Sequence, residues 1–183
     1  RTLDRRPFIP LGPPESFDCG MVMSSNRLII VGDEIWIYYT GFDGTHGSEW
    51  FESLTSEAQT GLERTRSATI GLAILRLDGF VSVDAGEKEG ALTTKALQFE
   101  GNKLVINAQA KDGYAVVEVL DETGKVVKGF ERSDCDVFSG DDVRHTVTWL
   151  GKSNIDLLAG KPIRLRFYLK NAKLYSFTFK NSS

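Results

Sequence analysis

Several things are scarce in this chain of 183 residues, and each scarcity excludes a class of function. Histidine and cysteine number two each (His46, His145, Cys19 and Cys135), with no CxxC or HExxH spacing, so zinc chemistry has no foundation. Lys and Arg number 22 against 25 Asp and Glu. The net charge of −3, with no basic block, lacks the electrostatic footprint of a nucleic-acid binder. No apolar run approaches the roughly 20 residues that cross a bilayer, so neither nucleic acid nor membrane is an expected partner. Two widely separated cysteines favour free structural thiols over a disulfide or a nucleophile, and they leave the compartment undecided. The chain begins at Arg1 rather than Met, and the expectation is a processed protein or a segment of a longer one.

Helical periodicity is also scarce, and alternation takes its place. Arg27 to Val31, Glu34 to Thr40 and Ser67 to Leu75 are short runs rich in β-branched and aromatic residues, bounded by Gly or Asp. Gly32-Asp33 between the first two suits a type II′ hairpin, because Gly accepts the positive φ of that position. Further runs follow at Phe80–Val83, Lys95–Phe99, Lys103–Ala108, Tyr114–Leu120, Val143–Trp149, Pro162–Leu169 and Lys173–Phe179. Turn chemistry connects them at Glu100-Gly101-Asn102, Lys111-Asp112-Gly113 and Asp121 to Gly124. The chain is therefore predicted to be all-β. Only Ser48 to Gln59, with Trp50, Leu54 and Ala58 on one stripe, hints at a helix, and a packed loop accounts for it equally well.

A seam near residues 76 to 79 divides the chain. Residues 1–76 carry a Pro-rich lead and four expected strands, Cys19 to Ser24 and the three runs named first above, which match one four-stranded antiparallel blade of a β-propeller. One such sheet cannot bury both of its faces, so it is expected to need further blades or other structure against it. Residues 77–183 are expected to hold eight or nine strands, enough for a jelly-roll-like β-sandwich with its own core.

Particular phrases carry a resemblance. Ser16-Phe-Asp-Cys-Gly-Met-Val22, then Ile35-Trp-Ile-Tyr-Tyr-Thr-Gly-Phe-Asp-Gly44 and His46, resemble the last blade of five-bladed propeller glycoside hydrolases of the family 32 and family 43 kind. Ile70 to Gly86 is similar to the junction from that blade into a C-terminal β-sandwich. The stretch Gly90 to Phe179, with Asn107, Glu118, Trp149 and Leu174-Tyr-Ser-Phe177, resembles the sandwich itself. The resemblance implies a parent enzyme that hydrolyses a polysaccharide or oligosaccharide, and remaining propeller blades as partners. Secretion or a periplasmic location is implied as well. It also implies that the catalytic carboxylates lie on blades this chain does not supply, so this segment alone is expected to be inactive. Glycosidic hydrolysis needs two carboxyl groups roughly 5 to 9.5 Å apart.

Among single residues, Asp18 is the most interesting carboxylate, a candidate wall residue of an active site or a sugar-hydroxyl acceptor. Strand capping by an Asx-turn is the plainer alternative. If the strands alternate down and up, the Gly32-Asp33 turn shares the end that carries Asp18, and the loop bearing His46 leaves from the opposite end. His46 and Trp50 are further substrate-binding candidates, Trp50 as a ring that stacks on a sugar. Trp36 and Tyr38 are expected on one face and Tyr39 on the other. Asp134, Asp136, Asp141 and Asp142 gather around Ser139-Gly140 as a calcium candidate, although the spacing fits no EF-hand loop and a solvated acidic loop explains it. No other cofactor is expected. Arg164 and Arg166 share a strand face, where either a cross-strand partner such as Glu118 or a sugar-binding row explains them. A non-catalytic carbohydrate-binding module using Trp50, Tyr114 or that arginine row is the alternative function, and a structural or assembly role is the third.

Overall fold

A computed structural model describes residues 7–45 and 68–182. The fold is all-β and divides into two compact units, Arg1–Leu77 and Asp78–Ser183. Among the described residues the only helical element is a short 3-10 turn, Asp156–Leu158, and no helix is long and apolar enough to cross a membrane.

Among the described residues the first unit holds four antiparallel strands in one sheet: β1 (Met21–Ser24), β2 (Ile29–Val31), β3 (Glu34–Phe42) and β4 (Ala68–Arg76). Their order corrects the expected down-and-up meander. β1 pairs with the second half of β3 and β2 with its first half, while β4 runs along the whole opposite edge from Glu34↔Arg76 to Phe42↔Ala68. β1 and β2 are thus two pieces of one lane. Ser25 keeps that lane attached, its N–H donating to the Tyr38 carbonyl at 2.9 Å, so the chain passes from one piece to the next without a turn. The true turn comes at Gly32-Asp33, where Val31 faces Glu34 and Gly32 takes φ 61 as a type II′ hairpin requires.

Register then sorts the side chains. Ile29, Trp36 and Ile74 line up across the sheet, as do Met23, Thr40 and Ile70, with Tyr38 beside Leu72. These rows share a face that stays largely in solvent, Ile70 being 74% and Ile74 56% exposed. Ile35, Ile37 and Tyr39 occupy the reverse face, and both isoleucines are buried.

The second unit is a sandwich of seven strands, fewer than the expected eight or nine. β5 (Val83–Ala85), β11 (Ala172–Lys180), β7 (Lys103–Gln109) and β9 (Asp141–Thr146) form one sheet in that order. β6 (Gly90–Thr93), β10 (Ile163–Lys170) and β8 (Tyr114–Asp121) form the other. Successive strands alternate between the sheets from β5 to β11, the winding of a jelly roll. Lys95–Phe99, expected as a strand, makes only a bridge from Leu97 to Ile163, and Phe80–Val83 gives way to β5 a few residues on.

Inward positions every second residue make the core. Ile163, Leu165, Phe167 and Leu169 of β10 stand beside Val119, Val117 and Ala115 of β8, and Leu104, Ile106 and Ala108 of β7 meet them from the other sheet. Phe167 is fully buried and its ring lies 5.5 Å from that of Phe177.

A jelly roll of eight strands would place one more strand beside β8. Here residues 122–140 make an excursion instead, bridging to β8 only at Leu120↔Val126 and Ala115↔Phe138. The exposed edge of β8 is nonetheless satisfied. Asp121 N–H donates to the Lys125 carbonyl at 2.8 Å, Val119 N–H to Phe130 at 3.0 Å, and Ala115 exchanges two bonds with Phe138. Val117 is the exception in kind: its N–H donates to Cys135 Sγ at 3.2 Å and its carbonyl accepts the Trp149 indole at 3.0 Å. Side chains stand in for the missing strand, which closes an otherwise open edge.

Candidate functional site

Where the excursion leaves the sheet, a groove opens over the outer face of β8. Its volume is about 670 Å³, and it is lined by Tyr114, Val116 and Glu118 from the strand and by Val126, Glu131, Arg132, Ser133, Cys135 and Val137 from the excursion. Period-2 alternation places Tyr114, Val116 and Glu118 on the face away from the core, opposite Lys170, Tyr168 and Arg166 of β10.

Glu118 sits at the floor and is 5% exposed. Its Oε1 accepts from Arg166 Nη1 at 2.8 Å and from the Tyr168 hydroxyl at 2.7 Å, and both of these bonds fall on that one oxygen. Arg166 also donates from Nε to Thr93 Oγ1 at 3.1 Å. The arginine row thus resolves into one ion pair with the expected cross-strand partner, while Arg164 stands opposite Leu120. Arg132 lies 4.2 Å above the Tyr168 ring and grips Glu89 with two bonds, at 3.1 and 2.6 Å. The Tyr114 hydroxyl donates to the same Glu89 carboxylate. That donation, then Arg132, holds Glu89 below the usual glutamate range, and the same bond pushes Tyr114 up.

On the excursion, a side-chain hydrogen bond joins Glu131 and Asp134. It lowers Glu131 and raises Asp134. Gly129 N–H donates to the same glutamate at 2.6 Å. Burial pushes the Cys135 thiol up to about 11, which removes it as a nucleophile near neutrality.

The structure does not bring the four calcium candidates together. Asp136 Oδ2 accepts from Thr148 Oγ1 and Gly151 N–H, Asp142 Oδ1 accepts from Arg144 N–H, Asp141 lies 3.5 Å from Lys111 Nζ, and Asp134 is bonded to Glu131. Each carboxylate serves its own turn or strand end, and among the described residues no group of three or more His, Cys, Asp or Glu is placed to hold a metal. His145 packs its ring 4.3 Å from Phe138, and burial lowers its pKa. Both cysteines are free.

In the first unit Asp18 is buried at 8% exposure, with both oxygens engaged. Ser16 Oγ donates to Oδ1 at 2.7 Å and the Tyr39 hydroxyl to Oδ2 at 2.9 Å, and these two bonds hold the carboxyl below the usual aspartate range. Bare backbone surrounds it: a Cβ on Gly12 would stand 2.0 Å from Oδ1, and one on Gly41 2.5 Å from the Asp18 Cβ. Asp18 therefore fastens the Pro-rich lead to β3. The shared lane of β1 and β2 also reverses the expected ends of the sheet. Gly20 N–H donates to the Phe42 carbonyl and Cys19 Sγ reaches the Asp43 carbonyl, so the chain leaves β3 at the end that carries Asp18, while Gly32-Asp33 lies at the other. Asp43 Oδ1, at that end, is buried without a hydrogen-bond partner. His46, Trp50 and the stretch Ser48 to Gln59 lie outside the described residues.

Sequence reasoning singled out Tyr114, Glu118 and Arg166 but not Glu89, Arg132 or Glu131, because loop residues carry no alternation signal. Compared with protein-family models, with curated proteins and with solved structures, the chain matches none.

Proposed function

We propose that this chain is a non-catalytic, carbohydrate-binding part of a propeller-type glycoside hydrolase, with the sandwich holding the sugar. The observation that carries the reading is the groove over β8. A volume of about 670 Å³ falls in the range of roughly 300 to 1,000 Å³ typical of small-ligand sites. Its valines and Tyr114 offer apolar surface to the C–H face of a sugar ring, and Glu118, Glu131 and Arg132 offer polar partners to hydroxyls. The raised Cys135 thiol supports binding rather than nucleophilic cleavage there.

A second observation favours a companion role for the first unit. The row of Ile29, Trp36, Tyr38, Ile70, Leu72 and Ile74 gives its sheet an apolar face in solvent, which suits packing against further β-structure such as remaining propeller blades. Location outside the cytoplasm accompanies the glycosidase reading, because the polymer substrates lie there.

Titration calorimetry of the 183-residue chain against neutral, amino and acidic oligosaccharides tests the binding role. Saturable heat without new reducing ends is the expected result. Silence across the whole panel would overturn the reading, and hydrolysis by this chain would overturn its non-catalytic part.

A further inference from the structure

We infer that the groove chooses its ligand by hydrogen-bond donors, with Glu118 as the specificity-determining residue, so that it takes a neutral or amino-bearing sugar and rejects a uronate. This deepens the carbohydrate reading and rests on it. Glu118 is almost wholly buried yet lines the cavity, so the little surface it keeps faces the groove. Arg166 and Tyr168 both address Oε1, which leaves Oε2 as acceptor capacity at the floor. The surface that Glu118 keeps is on the groove side, so a ligand O–H or N–H placed there meets a carboxylate acceptor that is shielded from most competing water.

The cations around the groove are already committed. Arg132 spends two N–H groups on Glu89 and stacks on Tyr168, while Arg166 is divided between Glu118 and Thr93. Lys128 acts on Glu131 and Lys170 on Glu89 from outside the lining. A ligand carboxylate entering this cavity would face Glu118 and Glu131, and both guanidinium charges beside it are already paired with glutamates. A hydroxyl or an ammonium meets acceptors instead. The Tyr114 ring, held by its bond to Glu89, and Val116 line the groove beside Glu118.

The test uses the whole chain and three probes of equal length: a cello-oligosaccharide, a glucosamine oligomer and an oligogalacturonate. At least one of the first two is expected to bind at least tenfold tighter than the third. Glu118→Gln, which puts an amide in place of one acceptor oxygen, is expected to lower that affinity at least tenfold. Val137→Trp places a ring at the exposed rim and should block binding while leaving the thermal transition in place, which keeps the site testable if Glu118→Gln folds poorly. Oligogalacturonate binding as tightly as the others would overturn the donor rule while the carbohydrate reading survives. Unchanged binding in Val137→Trp would remove the groove as the site. Silence with all three probes would sink this inference, and silence across the wider panel would sink the carbohydrate reading as well.

Discussion

The ion pair under the groove allows an asymmetric prediction. Glu118 and Arg166 touch at 2.8 Å, but the glutamate side chain is 6% exposed and the arginine side chain 32%. Removing one partner of a fully buried pair costs about 3 to 5 kcal/mol, because the other charge is left without compensation. Arg166→Leu strands the buried partner. The Tyr168 hydroxyl still donates to Glu118, and water already screens part of the guanidinium, so we expect about 2 to 3 kcal/mol. Glu118→Leu strands the partner that can turn toward water, leaves one tyrosine hydroxyl without its acceptor and is expected to cost about 1 to 2 kcal/mol. The double replacement removes both charges together and should fall below the sum of the two by more than about 1 kcal/mol. Urea unfolding followed by Trp149, which is buried in the sandwich, reads these values in a Trp36→Phe, Trp50→Phe background. Equal single costs, or costs that simply add, would refute the claim that burial of Glu118 organises this network.

Other expectations follow from the same geometry. Phe167→Ala, at a fully buried position between the sheets, should cost about 3 to 5 kcal/mol in the same urea assay. Gly113→Ala would place a Cβ 1.8 Å from the Lys170 carbonyl oxygen, so the turn into β8 must move; a melting temperature within a degree of the parent's would contradict this packing. Thiol labelling at pH 8 should modify half-buried Cys19 and spare Cys135, whose pKa burial raises to about 11, until denaturant exposes it. Asp18 has a folded-state pKa below its ordinary 3.8, owing to Ser16 and then Tyr39. Its contribution is therefore present above the unfolded value and lost as pH falls through the folded one. Asp18→Asn should flatten the acid limb of first-unit stability below about pH 4, and an unchanged limb would remove Asp18 as its source.

How much of this was legible in the sequence depends on the reach of each signal. Alternation and β-branched composition are local properties, and they placed β3, β4, β7, β8, β10 and β11 within a residue or two; alternating burial is clearest in β10, whereas β7 and β8 are buried on both faces and read as continuous apolar runs. Alternation also supported the Arg166–Glu118 pairing, since outward residues on neighbouring strands must meet. Lane assignment is a different matter. Cys19–Ser24 and Arg27–Val31 both read as strands, but whether the residues between them turn the chain back or merely interrupt it depends on β3. That strand has nine residues and accommodates both pieces on one edge. The reversal of the sheet's ends, and with it the placement of Asp43 near Asp18, came from that single ambiguity.

The groove was hidden for a related reason. A missing strand leaves no periodic trace, only a stretch of turn residues and scattered charges between Asp121 and Asp141. Those residues looked like a solvated acidic loop, and most of the aspartates do serve local turns. Yet the same stretch must satisfy the edge of β8, and Cys135 and Trp149 reach Val117 where a strand would have done so. That substitution has a geometric consequence. A strand lies flat against its neighbour, whereas this excursion touches β8 at irregular points, Val126, Phe130, Cys135 and Phe138, and its residues Glu131, Arg132, Ser133 and Val137 line the groove between them. The cavity and the exposure of Glu118 to it thus arise from the device that closes the sheet edge. Straightening residues 126–138 into a regular strand would improve the edge pairing and abolish the site.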